Sequence, residues 1–233
     1  MALPKLATAK YELILPSTGK TIEYRPFLVK EEKILLIAQS TGEDDDMMRA
    51  VGQIIENCTF GELKAGVLPF FDIEYVFIKL RSKSIGEVST IKLTMPDDGE
   101  TEVEVEINLD EIECVKQKGH TPEIQLTDDI GLTLGYPRID NLSEMAKVTD
   151  GAAGFAIVKG CITQIHDAEN VYAKSDMDDK ELDEFIDSLS HSQFEKVQEF
   201  FDTMPKVKHT VEVKNPNTGV MNKIVIEGMQ NFF

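Results

Sequence analysis

The chain has 233 residues, 42% of them hydrophobic, and a formal net charge of −18. The hydrophobic fraction is ample for a packed core in one large or two small domains, and the negative charge argues against a nucleic-acid backbone or an anionic membrane as the main partner, since both would repel it. Three dispersed cysteines, Cys58, Cys114 and Cys161, fit a reducing compartment and not a disulfide scaffold; the start MALPKLATAKYELIL lacks the apolar core of a signal peptide and no run reaches the length of a membrane span, so a chain that is cytosolic where it is made is expected.

Residues 14–21, ILPSTGKT, carry the end of a phosphate-binding loop and an LPxTG sortase signal. A phosphate loop needs glycine where Ile14 stands, and a helix after the GKT. Here TIEYRPF alternates apolar and polar residues before a proline and reads as a strand. A sortase signal belongs near a C-terminus, ahead of an apolar segment and a basic tail. The segments YELIL and TIEYR therefore read as two strands turning at Pro16–Gly19, with Pro presetting φ and Gly taking a left-handed conformation. The recipe recurs at Pro96–Gly99 within IKLTMPDDGETEVEVEINL and at Pro216–Gly219 within HTVEVKNPNTGVMNKIVIEGM. Three antiparallel hairpins built on P-x-x-G turns are predicted, with Gly19, Gly99 and Gly219 at positive φ. In the second, Val103, Val105, Ile107 and Leu109 face one way and Glu102, Glu104 and Glu106 the other.

Between the first two hairpins, LVKEEKILLIAQSTG puts Ile34, Leu35, Ile37 and Ala38 on one helical face, ending at Gly42. The acidic EDDD opens a second helix, where carboxylates at residues 44–46 meet the positive end of the dipole. A third helix follows VLP, with Phe70, Ile73, Phe77 and Leu80 on one face. Short strands are predicted at EIQL and GLTLGY. The segment GFAIVKGCITQIH returns to a helical period through Phe155, Val158, Cys161, Ile162 and Ile165, which makes Cys161 a core residue and puts His166 at a helix end. In ELDEFIDSLSHSQFEKVQEFFDTMP, Ser190 and Gln193 form a capping box flanked by a Leu189–Phe194 staple, so two helices are predicted. The second has an apolar stripe of Phe194, Val197, Phe201 and Met204 and stops at Pro205.

Local motifs for chemistry fail one by one. DMDDKELDE has EF-hand-like carboxylate spacing but Glu181 where the loop requires Gly. The four histidines, His120, His166, His191 and His209, form no HxxxH or HExxH, and no G-x-S-x-G elbow is present. The turns at residues 95–99 and 215–219, MPDDG and NPNTG, share the frame of the zinc-ribbon knuckle C-P-x-C-G with no sulfur at either cysteine place. No bound zinc and no cofactor are expected. The residues point to a non-enzyme. An enzyme or nucleotide-dependent factor is the alternative, with GKT as its only hint.

The strings YELILPSTGKTIEYRPFLVKEEKILLIA, LPFFDIEYVFIKLRSKSIGE and FFDTMPKVKHTVEVKNPNTGVMNKIVIEGMQNFF resemble the T-even-type phage baseplate protein family, which includes the baseplate hub assembly protein of large contractile-tailed phages. The resemblance spans most of the chain and is weakest over residues 111–178. It implies a structural or assembly protein of the tail baseplate hub that acts by protein–protein binding. Its partners would be other baseplate, hub or tape-measure proteins, with no nucleic acid, membrane or small-molecule substrate, and its place the virion tail baseplate or the host cytoplasm during assembly. A looser likeness to tail-assembly chaperones that hold tape-measure proteins stays open beside it. The expected fold is α+β: a hairpin with helices over residues 1–83, a central hairpin region over 84–137, and a helical region with a C-terminal hairpin over 138–233, or one continuous domain. The helix from about His191 to Thr203, the hairpin after it and the terminal aromatics are expected to form one attachment unit, presenting Phe194, Val197, Phe201, Phe232 and Phe233 to a partner, with the alternative that the terminal rings cap this protein's own core against Phe200 or Phe201.

Overall fold

A computed structural model describes residues 6–139 and 153–232. Among these residues, helices and small antiparallel sheets make a mixed α+β protein. It divides into two compact units, Met1–Val115 with Lys206–Phe233, and Lys116–Pro205. The boundary after Pro205 separates the His191–Thr203 helix from the C-terminal hairpin, so the two do not form the single unit expected from sequence.

The first unit opens with the hairpin β1 (Tyr11–Ile14) and β2 (Thr21–Tyr24), in which Leu13 faces Ile22 and both are buried. Lys20 and Thr21 lead into a strand, and no helix starts there, which removes the phosphate-loop reading. Helices α1 (Val29–Thr41), α2 (Asp44–Cys58) and α3 (Phe70–Ser84) follow. Next come β3 (Val88–Thr94) paired with β4 (Glu102–Asn108), the short strand β5 (Glu113–Val115) and, at the chain's far end, β10 (Lys206–Lys214) with β11 (Met221–Glu227) in the order β11-β10-β5.

Two helices depart from their sequence reading. On α1, Glu31 and Ala38 are buried, whereas Leu36 and Ile37 are 58% and 67% exposed. Ile37 was expected to face inward. The cause is Glu31, whose carboxylate accepts from the Leu28 N–H at 2.9 Å and from Arg25 Nη2 at 2.9 Å, binding the helix start to the core through that side chain. With Glu31 and Ala38 seven residues apart on the inward face, Leu36 and Ile37 turn outward.

Helix α3 has no wet side of the kind its Phe70–Ile73–Phe77–Leu80 stripe suggested. Phe71, Ile73, Val76, Ile78 and Leu80 are buried, and so are Asp72, Glu74, Lys79 and Ser82. Each buried charge holds a different part of the chain. Asp72 accepts from the backbone N–H of Ser17 at 3.0 Å and from its hydroxyl, Glu74 accepts from the Met229 N–H at 2.9 Å, and Lys79 donates to the carbonyls of Asp110, Ile112 and Leu109 at 2.7, 3.1 and 3.3 Å. Burial opposes charge at all three: it raises both carboxyls and lowers the ammonium.

The second unit is a sheet in the order β6 (Glu123–Gln125), β7 (Gly131–Leu134), β8 (Ile162–His166), β9 (Val171–Ala173) with helices α4 (Ala153–Cys161), α5 (Asp179–Asp187) and α6 (His191–Thr203). Leu132, Ile162, Leu182, Val197 and Phe200 are among its core residues. The helical period read through Ile165 breaks at Cys161, where the chain turns into β8. Ile162, Thr163 and Ile165 are β-branched, and Leu132 and Leu134 of β7 pair with Ile165 and Ile162. His166 thus sits on a strand, opposite Gly131, where an added Cβ would lie 2.5 Å from its ring. Cys161 is buried, and burial pushes its thiol up to about 12, which keeps the nucleophilic thiolate out of reach.

The Ser190–Gln193 capping box forms, and Leu189 and Phe194 both pack against the core beside it. A second box that sequence reasoning passed over starts α5: Asp178 accepts from the Glu181 N–H at 2.8 Å and Glu181 from the Asp178 N–H at 2.9 Å. The glutamate that spoils a calcium loop is a helix cap.

His120 is held between Thr203 Oγ1 at 3.0 Å and Tyr136 Oη at 3.1 Å, with its ring 4.9 Å from that of Phe200. Thr203 Oγ1 donates to the Glu199 carbonyl, so it accepts from His120 Nδ1–H, and Nε2 accepts from Tyr136. Burial and Lys116 lower the pKa of this histidine.

Two outcomes test these contacts. Lys79→Met, which leaves three carbonyls without their donor, should cost about 3 kcal/mol in urea unfolding, and a loss under about 1 kcal/mol would show that the pegs are dispensable. Because folding lowers the His120 pKa, its contribution is complete above the unfolded value of about 6.5 and declines as pH falls through it. Thermal melts between pH 7.5 and 5 should show this decline, and His120→Gln should flatten it.

Candidate functional site

The three P-x-x-G turns share one backbone pattern. Gly19, Gly99 and Gly219 have φ of 70°, 71° and 77°. Each donates its N–H to the carbonyl of the residue that opens the turn, Leu15, Met95 or Asn215, at 2.8, 2.9 and 2.9 Å. That opening residue is buried in every case. The first turn is held by Asp72 of α3, as described above.

The second and third turns hold each other. Asn215, wholly buried, donates through Nδ2 to Asp97 Oδ1 and Asp98 Oδ2, both at 2.9 Å. Its Oδ1 accepts from the N–H groups of Asn217 at 2.8 Å and Thr218 at 3.3 Å, which fixes the amide's orientation. The Thr218 hydroxyl donates to Asp97 Oδ2, Asn222 Nδ2 to Asp97 Oδ1 at 2.9 Å, and Asn217 Nδ2 to Thr101 Oγ1 at 2.9 Å. Asp98 also accepts from the N–H groups of Glu100 and Thr101, each at 3.0 Å. Bonds from Asn215, Thr218 and Asn222 hold the Asp97 carboxyl below its usual range, and those from Thr101, Asn215 and Glu100 do the same for Asp98. A two-stranded hairpin is marginal alone, and this clasp joins two of them tip to tip across more than a hundred residues of sequence.

Each turn was legible on its own; their meeting was not. The available signal was complementarity: the DD of one turn can only accept, and the N and T of the other offer donors. Among the described residues no group of three or more His, Cys, Asp or Glu is arranged to hold a metal ion, and no helix is long and apolar enough to cross a membrane.

The apolar residues read as an attachment surface are divided between the two units. Val197 is buried in the core of the second unit, with Phe194 and Phe201 partly buried against that core and the Phe194 ring stacked 4.8 Å from Phe155. Phe200, omitted from the sequence stripe, is buried in the place given to Phe201. Phe232 is wholly buried in the first unit, in a short 3-10 turn whose Met229 N–H binds Glu74. Phe233 lies outside the described residues. Helix α1 carries an exposed apolar face, where Val29, Leu36 and Ile37 are 66%, 58% and 67% exposed.

Hairpins held at their turns around a helix that carries buried charges define the class: a mixed α+β protein. A family model described as T4 bacteriophage base plate protein matches residues 8–233, and the chain belongs to that family. No curated protein and no solved structure matches it.

The clasp carries its own test. Asn215→Ala should lower stability by about 3 kcal/mol, because several groups lose partners at a buried position. Gly219→Ala, whose Cβ would meet nothing within 4 Å, should cost only the left-handed strain of about 1 kcal/mol. Urea unfolding that ranks the two the other way would contradict the clasp.

Proposed function

We propose that this protein is a structural or assembly component of the tail baseplate hub and works by binding other tail proteins without catalysis. The observation that carries the reading is the family match over residues 8–233. Two features support it. The polar groups of the turn clasp are spent on one another, as suits a rigid structural part, and α1 turns Val29, Leu36 and Ile37 to solvent in a chain of formal net charge −18. Phe194 and Phe201, partly exposed on α6, form a second and smaller place for contact. The partners are other baseplate, hub or tape-measure proteins, and the site of action is the virion baseplate.

Leu36→Glu with Ile37→Glu should leave the fold intact, since both side chains are exposed, and should abolish co-purification with co-expressed hub proteins. Retained binding would move the attachment surface elsewhere. Mass spectrometry of purified virions separates the two forms of the proposal: presence marks a baseplate component, and absence together with failed hub assembly in a deletion marks a chaperone for the hub or the tape-measure protein.

A further inference from the structure

We propose that the turn clasp is a metal-knuckle pair in which hydrogen bonds stand in the place of the ion, and that the site would take a soft divalent cation, Zn²⁺, if its four ligand positions were thiolates. A pair of C-P-x-C-G knuckles binds zinc through the first and fourth residue of each turn. Those residues here are Met95 and Asp98 in MPDDG and Asn215 and Thr218 in NPNTG. Two observations go beyond the shared frame. Both turns close by the same bond, from the glycine N–H to the carbonyl of the first residue, at 2.9 Å in each. The two turns also face each other: Asn215 Nδ2 lies 2.9 Å from Asp98 Oδ2, so one ligand position of each turn already touches one of the other. Turns that shared only a local φ requirement would have no reason to meet. The first hairpin is the control. LPSTG has the same closing bond, at 2.8 Å, yet its side chain contact runs to Asp72 of α3 and to neither other turn.

The substitutions at the four positions follow from what a vacated knuckle requires. Four thiolates around Zn²⁺ carry a net charge of −2 and need a cation to bring them together. Without the ion, the facing residues must attract each other directly. An amide donor at 215 and a hydroxyl donor at 218 now meet the carboxylates of residues 97 and 98, and the fourth position is held by the buried Met95, whose thioether ligates zinc poorly. The wild-type protein should therefore hold no stoichiometric zinc.

The test is the quadruple variant M95C/D98C/N215C/T218C, purified from zinc-supplemented cells. The four thiols would give up four protons on binding, so retention should weaken as pH falls. Elemental analysis should find about one zinc per chain, and Co²⁺ in its place should give the absorption of a tetrahedral tetrathiolate. The double variants M95C/D98C and N215C/T218C, each with one refilled turn, should bind at least about 100-fold more weakly. The quadruple chain is expected to fold only with metal, as read by far-UV circular dichroism before and after zinc addition. A quadruple variant that binds no zinc, one that stays unfolded with zinc present, or double variants that match its affinity would each overturn the proposal. None of these results depends on which tail protein is bound.

Discussion

The first unit depends on three charged side chains inside one helix. Burying Asp72, Glu74 and Lys79 costs solvation that hydrophobic residues of similar size would not lose, and each offsets that cost by satisfying backbone groups of turns and 3-10 segments. Those groups belong to the N-terminal turn at Ser17, the C-terminal segment at Met229 and the carbonyls of residues 109–112. They lie outside the strands and α-helices and far apart in sequence. An apolar helix would pack as well but would not specify where these segments dock.

The clasp solves the same problem at the other end of the hairpins. Strands β3 and β4 form a two-stranded sheet, and β10 has β11 and a three-residue β5 beside it. Neither arrangement has the cross-strand packing of a large sheet. Pinning each hairpin at its turn converts loose ribbons into fixed struts. For a structural protein of the baseplate family, surfaces held at set positions would let any contact form without spending free energy on ordering.

Much of the local structure was legible in the sequence because local chemistry decides it. The P-x-x-G turns, the glycine at the end of α1 and the Ser190–Gln193 box each depend on a few adjacent residues. What stayed hidden depends on distant partners. The inward face of α1 is set by Arg25 reaching Glu31, which hydrophobic periodicity cannot register, and so Ile37 was placed on the wrong side. Strand β8 continues an apparently helical period, and only pairing with β7 reveals it. The same holds for the charges of α3, which look like a solvent face until the segments that cover them are known, and for the clasp, whose two halves are unremarkable turns until they meet.

Native-state hydrogen exchange on the whole protein reads how far the first unit depends on α3. If the charged pegs make α3 the element on which the first unit closes, its amides from Ile73 to Leu80 should exchange only through global unfolding, with the slowest rates in the unit, and the slow rates of the N-terminal hairpin should collapse in Asp72→Ala while those of β10 and β11 persist. Amides of α3 that exchange as fast as those of the hairpins, or an Asp72→Ala chain whose exchange is unchanged, would contradict the account.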